Sequence, residues 1–176
     1  MEKVIFKEEQ KFGSISLYLS MGVIYLGTIL LFAYSAYSQF ILNEPIGDKP
    51  MSDKGLLLTI VLVLFVLAIT GFLLFGSKLE TTVTPSYISI TFKPILKKAV
   101  IIGHKDVKEY EIRRYKPIKE YGGWGVKQGV KKVGKAYNVH GNIGLQLYLY
   151  DGKKILIGTQ RGDALLRAMK KMMENN

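Results

Sequence analysis

The sequence predicts a two-helix transmembrane hairpin followed by an antiparallel, β-rich domain. That domain is expected to curl into a partial barrel of about seven strands capped by a C-terminal α-helix. Three observations carry this expectation. Residues 13–42 and 55–77 contain no charged side chain. Beyond them, residues 78–176 hold 20 Lys+Arg against 8 Asp+Glu, so the net charge of +11 is concentrated in one region. The hydrophobic period also changes after residue 77, from unbroken apolar runs to alternation, and returns to helical spacing near the C-terminus.

The first apolar stretch, Ser14–Leu42, has 29 residues, and the second, Gly55–Gly76, has 22, with TIVLVLFVLAIT at its centre. A helix needs about 20 residues to cross a hydrocarbon core of ~30 Å. A chain of 176 residues has too little other sequence to bury two such helices in a soluble core. A cleaved signal peptide is the rival reading of the first stretch, but its apolar region runs to about 7–15 residues after a basic start. Here the stretch is about twice that length, a mixed-charge segment precedes it, and a second span follows.

Tyr18 and Tyr37 lie near the ends of the first span, where amphipathic rings favour the interface, while Tyr25 and Tyr34 are deep enough to reach the second helix. Ser16, Ser20 and Gly27 share one face, as do Ala68 and Gly71 on the second span; they serve close helix approach or are simply tolerated apolar positions. Three Lys precede the first span and Lys78 and Lys93 follow the second, whereas the intervening loop has three acids against two Lys. Counted close to the spans the Lys margin is small, and a large basic domain without an export signal most simply stays inside, so both termini are expected in the cytoplasm, with the chain in the cell membrane. The expected organisation is a cytoplasmic segment 1–13, spans 14–42 and 55–77, an external loop 43–54 and a cytoplasmic domain 78–176.

Within that domain, Glu80–Thr84 and Tyr87–Phe92 flank Pro85-Ser86 and read as a hairpin. Lys98–Ile102 and the less regular Val107–Tyr115 follow, and residues 116–135 are expected to be a loop rich in Gly and Lys. Ala136–Val139 and Gly144–Tyr150 are strands around His140-Gly141-Asn142, and Asp151-Gly152 turns the chain into Lys154–Gly158. Asp163–Met173 carries Leu165, Met169 and Met172 at helical spacing, with Lys170 and Lys171 in its last turns. About seven short strands and one closing helix is the order of a pleckstrin-homology (PH) domain, in which the helix covers the open end of a bent sheet.

The segments RRYKPIKEYGGWGVK (Arg113–Lys127), KAYNVHGNIGLQL (Lys135–Leu147) and DGKKILIGTQR (Asp151–Arg161) resemble a family of small bacterial membrane proteins with two transmembrane helices and a C-terminal PH-like domain. An F-x-E-x-Q-x-F-like opening is part of the resemblance, met here by Phe6, Glu8, Gln10 and Phe12. Gly162 stands where the family usually has Pro, which weakens the helix start. The resemblance implies fold and topology and no defined biochemical activity.

The candidate chemistry is sparse. Gly122-Gly123-Trp124-Gly125 lacks the following helix and Lys-Ser/Thr of a phosphate loop. It reads as a structural turn with Gly122, Gly123 and Gly125 at positive φ and Trp124 anchoring it. Lys116, Lys119, Lys127, Lys131, Lys132 and Lys135 cluster around it, opposed only by Glu120. They read either as a solvated face or as a surface for anionic lipid or a partner. Nucleic acid is not expected as a partner, because Lys dominates over Arg and the chain is anchored. Arg113 and Arg114 must point to opposite faces of their strand, so that one can pair with Glu111 or Glu120.

With no Cys there are no disulfides, thiolate metal sites or Cys nucleophiles. His104 and His140 are 36 residues apart, each in or beside a turn, with no catalytic motif around them. No enzyme activity, cofactor or metal is expected. The expected role is a membrane-anchored PH-like binding or scaffold module at the inner leaflet. Its partners would be membrane lipids, the alternative being an accessory subunit that binds a membrane protein partner through its helices or sheet edge.

Overall fold

The computed structural model describes residues 2–13, 15–129 and 133–174. It divides into two compact units: Gly13–Leu74, and Met1–Phe12 together with Phe75–Asn176.

The first unit is a pair of long helices, α1 (Ile15–Phe40, 26 residues) and α2 (Asp53–Gly76, 24 residues). Both are long and apolar enough to cross a membrane. Their large side chains face outward on every side, as with Leu19, Val23, Leu31, Leu58 and Phe65. An all-round apolar helix has no polar face to turn toward water. The hydroxyls in these helices are satisfied locally: Thr28, Ser35 and Thr59 donate to the carbonyls of Ile24, Leu31 and Gly55 at 2.8, 3.0 and 2.9 Å. Tyr25 reaches across to α2, its hydroxyl 3.1 Å from the Leu67 carbonyl and 2.6 Å from Thr70 Oγ1. An interhelical bond of this kind is worth about 1 kcal/mol in lipid. The connecting loop is tied down as well, with Gln39 Nε2 donating to Met51 O at 3.0 Å and Asp53 Oδ1 at 2.7 Å.

The second unit contains two sheets and a C-terminal helix. The first sheet is wholly antiparallel, in the order β1 (Phe6–Lys11), β2 (Lys78–Val83), β3 (Tyr87–Lys93), β4 (Val100–Gly103). The second is mixed. It is built from β5 (Val107–Arg114), β6 (Gly125–Gln128), β7 (Lys135–Asn138), β8 (Ile143–Leu149) and β9 (Lys154–Gly158), ordered β5-β8-β9-β7-β6. Among the described residues a short helix, α3 (Pro117–Tyr121), precedes β6, and the C-terminal helix is α4 (Gly162–Glu174).

Several expectations are corrected here. The strands form two sheets, not one partial barrel, and among the described residues there are nine of them instead of about seven. A 3-10 turn, His104–Asp106, separates β4 from β5, and the Asp106 carboxylate accepts the Gly103 N–H at 3.1 Å, so the ladder breaks at that corner. The region 116–135 is not simply a loop, since it contains α3 and β6. β7 and β8, although joined by a short turn, are not partners: β9 lies between them, parallel to β7. The irregular alternation of β5 corresponds to a register shift between Val107 and Glu109.

The added strand β1 has a consequence for the whole domain. Its side chains alternate strictly, with Phe6, Glu8 and Gln10 inward and Lys7, Glu9 and Lys11 outward. On the outer face the register sets Glu9 against Glu80 and Lys11 against Lys78. The repulsion is relieved along the diagonals, where Lys7 meets Glu80 at 3.2 Å and Lys78 meets Glu9 at 2.5 Å.

Between the sheets lies one core that includes Leu79, Ile88, Ile90, Phe92, Tyr137, Leu145, Leu147 and Ile157. α4 closes one side of it with Leu165, Ala168, Met169 and Met172, packing chiefly on β8, β5, β1 and β2. Burying each of the larger apolar side chains contributes about 1.5–3 kcal/mol. A smaller cluster of Tyr115, Tyr121, Ala136 and Leu156 lies on the outer face of the second sheet, under α3.

Candidate functional site

α3 is a single turn fixed at both ends. Pro117 occupies its first position, where the missing N–H costs nothing, and Lys116 N–H donates to Glu120 Oε1 at 2.6 Å. Gly122 ends it in the left-handed region (φ 70°), with its N–H on Ile118 O at 2.9 Å and Gly123 N–H on Pro117 O at 3.0 Å. Gly123 and Gly125 also have positive φ, 120° and 118°. Within this turn Trp124 donates its indole N–H to Gly141 O at 3.1 Å and stays 39% exposed.

Beneath α3 a buried amide, Asn138, and a partly buried guanidinium, Arg113, hold the turn to the sheet. Asn138, fully buried, accepts the Gly125 N–H at 2.9 Å and donates to the Tyr115 hydroxyl at 3.0 Å. Arg113 donates to Glu120 Oε2 at 2.8 Å, to Gln146 Oε1 at 3.0–3.1 Å and to the Tyr121 hydroxyl at 3.3 Å. The ion pair expected of Arg113 or Arg114 is therefore the one between Arg113 and Glu120.

Partial burial favours a neutral Glu120, but the Arg113 hydrogen bond and charge and the Lys116 N–H outweigh it and hold the carboxyl below its ordinary value. Burial raises the phenols of Tyr115 and Tyr121. A carboxylate with a lowered folded pKa contributes stability that is present above its unfolded value and lost as pH falls through the folded one. Acidification below pH 4.5, the ordinary value, is therefore expected to weaken the α3 turn. Glu120→Gln should lower the thermal midpoint at neutral pH and flatten its dependence below pH 4.5, which a midpoint series across that range measures.

This scaffold places the predicted residues in separate locations. Lys116, Lys119 and Trp124, with Tyr115, Pro117, Ile118 and Asn142, line one shallow surface groove of about 430 Å³. Ile118, 70% exposed, projects from it beside Trp124. Lys127 and Lys135 stand opposite Ala136 and Gln128 respectively, so the two lysines point to opposite faces of the second sheet. Lys135 lies over the Tyr137 ring at 5.4 Å, on the face toward the core. Lys131 and Lys132 lie outside the described residues.

No protein-family model and no curated protein matches the chain.

A second polar assembly joins the two ends of the domain. Glu8 is buried, its Oε2 accepting from the Thr159 hydroxyl at 2.5 Å and its Oε1 from Gln160 N–H at 2.9 Å. Gln10 Nε2 donates to Gly158 O at 2.8 Å, and the Arg161 guanidinium lies over the Phe6 ring at 5.3 Å. The FKEEQ and GTQR segments, some 150 residues apart, are thus in direct contact. The resemblance named both segments, but the hydrophobic pattern gave no sign that they meet, because two of the inward positions of β1 are polar. His104 Nδ1 lies 3.1 Å from Ser86 O, and His140 is exposed. Among the described residues no three His, Asp or Glu converge as a metal site would require.

Proposed function

We propose that this chain is a membrane-anchored, PH-like binding module that presents the Lys116–Trp124 surface to anionic lipid headgroups. On this reading α1 and α2 cross the cell membrane as a hairpin, and the basic domain lies in the cytoplasm. The single observation that carries the lipid reading is an exposed aliphatic–aromatic pair, Ile118 and Trp124, that lines one surface groove together with Lys116 and Lys119. Trp favours the water–membrane interface, and each Lys near an anionic leaflet contributes about 1 kcal/mol.

The topology is supported by the β1–β2 ladder. A strand ahead of α1 can pair with a strand behind α2 only if both lie on one side of the membrane, which requires an even number of crossings. Connectors of three residues (12–14) and one residue (77) keep the effective concentration of the domain at that surface high. Membership in the family of small bacterial membrane proteins is part of the proposal. It draws support from the contact between the two segments that carry much of the resemblance, FKEEQ and GTQR.

Trp124 is the only tryptophan, so it reports on its own surface. In nanodiscs of full-length protein, its emission should blue-shift and be quenched by brominated lipid as the anionic fraction rises, and salt should reverse both changes. Lys116→Gln with Lys119→Gln should weaken this response roughly 10- to 30-fold. Emission indifferent to lipid charge, together with stable co-purification of a second membrane protein, would instead favour the subunit reading.

A further inference from the structure

α4 closes the inter-sheet core on the side of β1, β2, β5 and β8. On another side the sheets part between the free edge of β4 and the strands β7 and β9, leaving a groove of about 850 Å³. That volume is within the ~300–1,000 Å³ typical of small-molecule sites. The groove shares no lining residue with the Lys116–Trp124 surface.

Its walls are mostly apolar, formed by Val100, Ile102, Tyr137, Leu149 and Ile155. Three ammonium-bearing residues, Lys135, Lys153 and Lys154, also line it. They differ in what they can offer a ligand. Lys153 is already paired with Asp151 at 2.6 Å. Lys154 lies over the Tyr148 ring at 5.6 Å, and its place in β9, one residue before Ile155, turns it to the opposite face of the sheet. Lys135 alone is on the inner face, at the mouth, with no carboxylate partner among the described residues. Among the described residues, the groove therefore combines an apolar interior with one ammonium, that of Lys135, that has no carboxylate partner and lies on the inner face.

We infer that this groove binds a single-chain fatty acid, with the acyl chain on Val100, Leu149 and Ile155 and the carboxylate on the Lys135 ammonium, which lies over the buried Tyr137 ring. One free ammonium matches a singly charged head. A lipid phosphate, carrying up to two charges, would leave charge unbalanced in a half-enclosed site. An anchored domain also meets its ligand where free fatty acids partition. The site is independent of headgroup binding at Lys116 and Lys119.

The test is photo-crosslinking of full-length protein in zwitterionic nanodiscs with a diazirine-bearing C16 fatty acid, mapped by mass spectrometry. Labelling is expected on the groove residues of β4, β8 and β9, competed by palmitate and not by hexadecanol. Lys135→Glu should reduce it at least tenfold while labelling of α1 and α2, the internal control, is unchanged. Lys116→Glu should leave it intact, which separates failure of this site from failure of the lipid-surface reading. Three results would overturn the inference: labels confined to the helices, equal competition by the alcohol, or preferential competition by lysophosphatidic acid.

Discussion

Replacing Glu8 by Ala is expected to lower the thermal midpoint of the domain by roughly 10–20 °C, from a loss of about 3–5 kcal/mol. The carboxylate is buried and is the acceptor for the Thr159 hydroxyl and the Gln160 N–H. Hydrogen bonds to a charged group are worth about 1.5–3 kcal/mol each, and donors left buried without a partner add their desolvation cost. The loss should be felt at both ends of the domain, because these two bonds tie β1 to the chain just before α4. Glu8→Gln, which keeps the shape and one good acceptor, should fall between wild type and Glu8→Ala. Lys7→Ala removes only a partly exposed ion pair and should change stability by no more than about 1 kcal/mol. Near-ultraviolet circular dichroism of the full chain in detergent measures all three.

Gly134→Ala is the other change with a large expected effect. Gly134 has φ +95°, and a Cβ built there would be 2.2 Å from Lys154 O and 2.7 Å from the same residue's carbonyl carbon. The obstacle is backbone, so no rotamer change relieves it. The positive φ costs about 1–2 kcal/mol for a residue with a side chain, and forced displacement of a packed neighbour costs about 1–3 more. The strain should concentrate where β7 runs parallel to β9, at the Lys135–Ile155 to Tyr137–Ile157 register. Amide exchange in β7 should accelerate roughly 100-fold, while exchange in the β2–β3 hairpin changes much less. Uniform acceleration across both sheets would mean that the domain opens only as a whole.

How much of this was readable from sequence depended on whether the signal was local. The β2–β3 hairpin announced itself through Pro85-Ser86 between alternating runs, and β8–β9 through Asp151-Gly152. α4 was legible from its apolar stripe, and the two apolar helices from length and absence of charge. β1 was not legible as a strand. Its inward positions include Glu8 and Gln10, so the usual apolar alternation is missing, and the groups that satisfy them lie about 150 residues away. The parallel pairing of β7 with β9 has no turn signature either, since it depends on which strand fits between β7 and β8. α3 did carry local signals, Pro117 at its start and Gly122 at its end, hidden within a run of Gly and Lys. For the candidate surface, the sequence grouped six lysines by proximity along the chain. Only the fold distributes them, because adjacent register positions send Lys127 and Lys135 to opposite faces.

The reading rests on two apolar helices crossing the bilayer with β1 and the rest of its sheet on a common side. The chain contains no Cys, so single-cysteine variants can be read without background. Lys3→Cys, Asp48→Cys and Lys170→Cys all replace exposed residues. With a membrane-impermeant maleimide applied to sealed inside-out vesicles and to intact cells, positions 3 and 170 should label together in the vesicles and position 48 only in the cells. Labelling of positions 3 and 170 from opposite sides, or of all three from one side, would contradict the account.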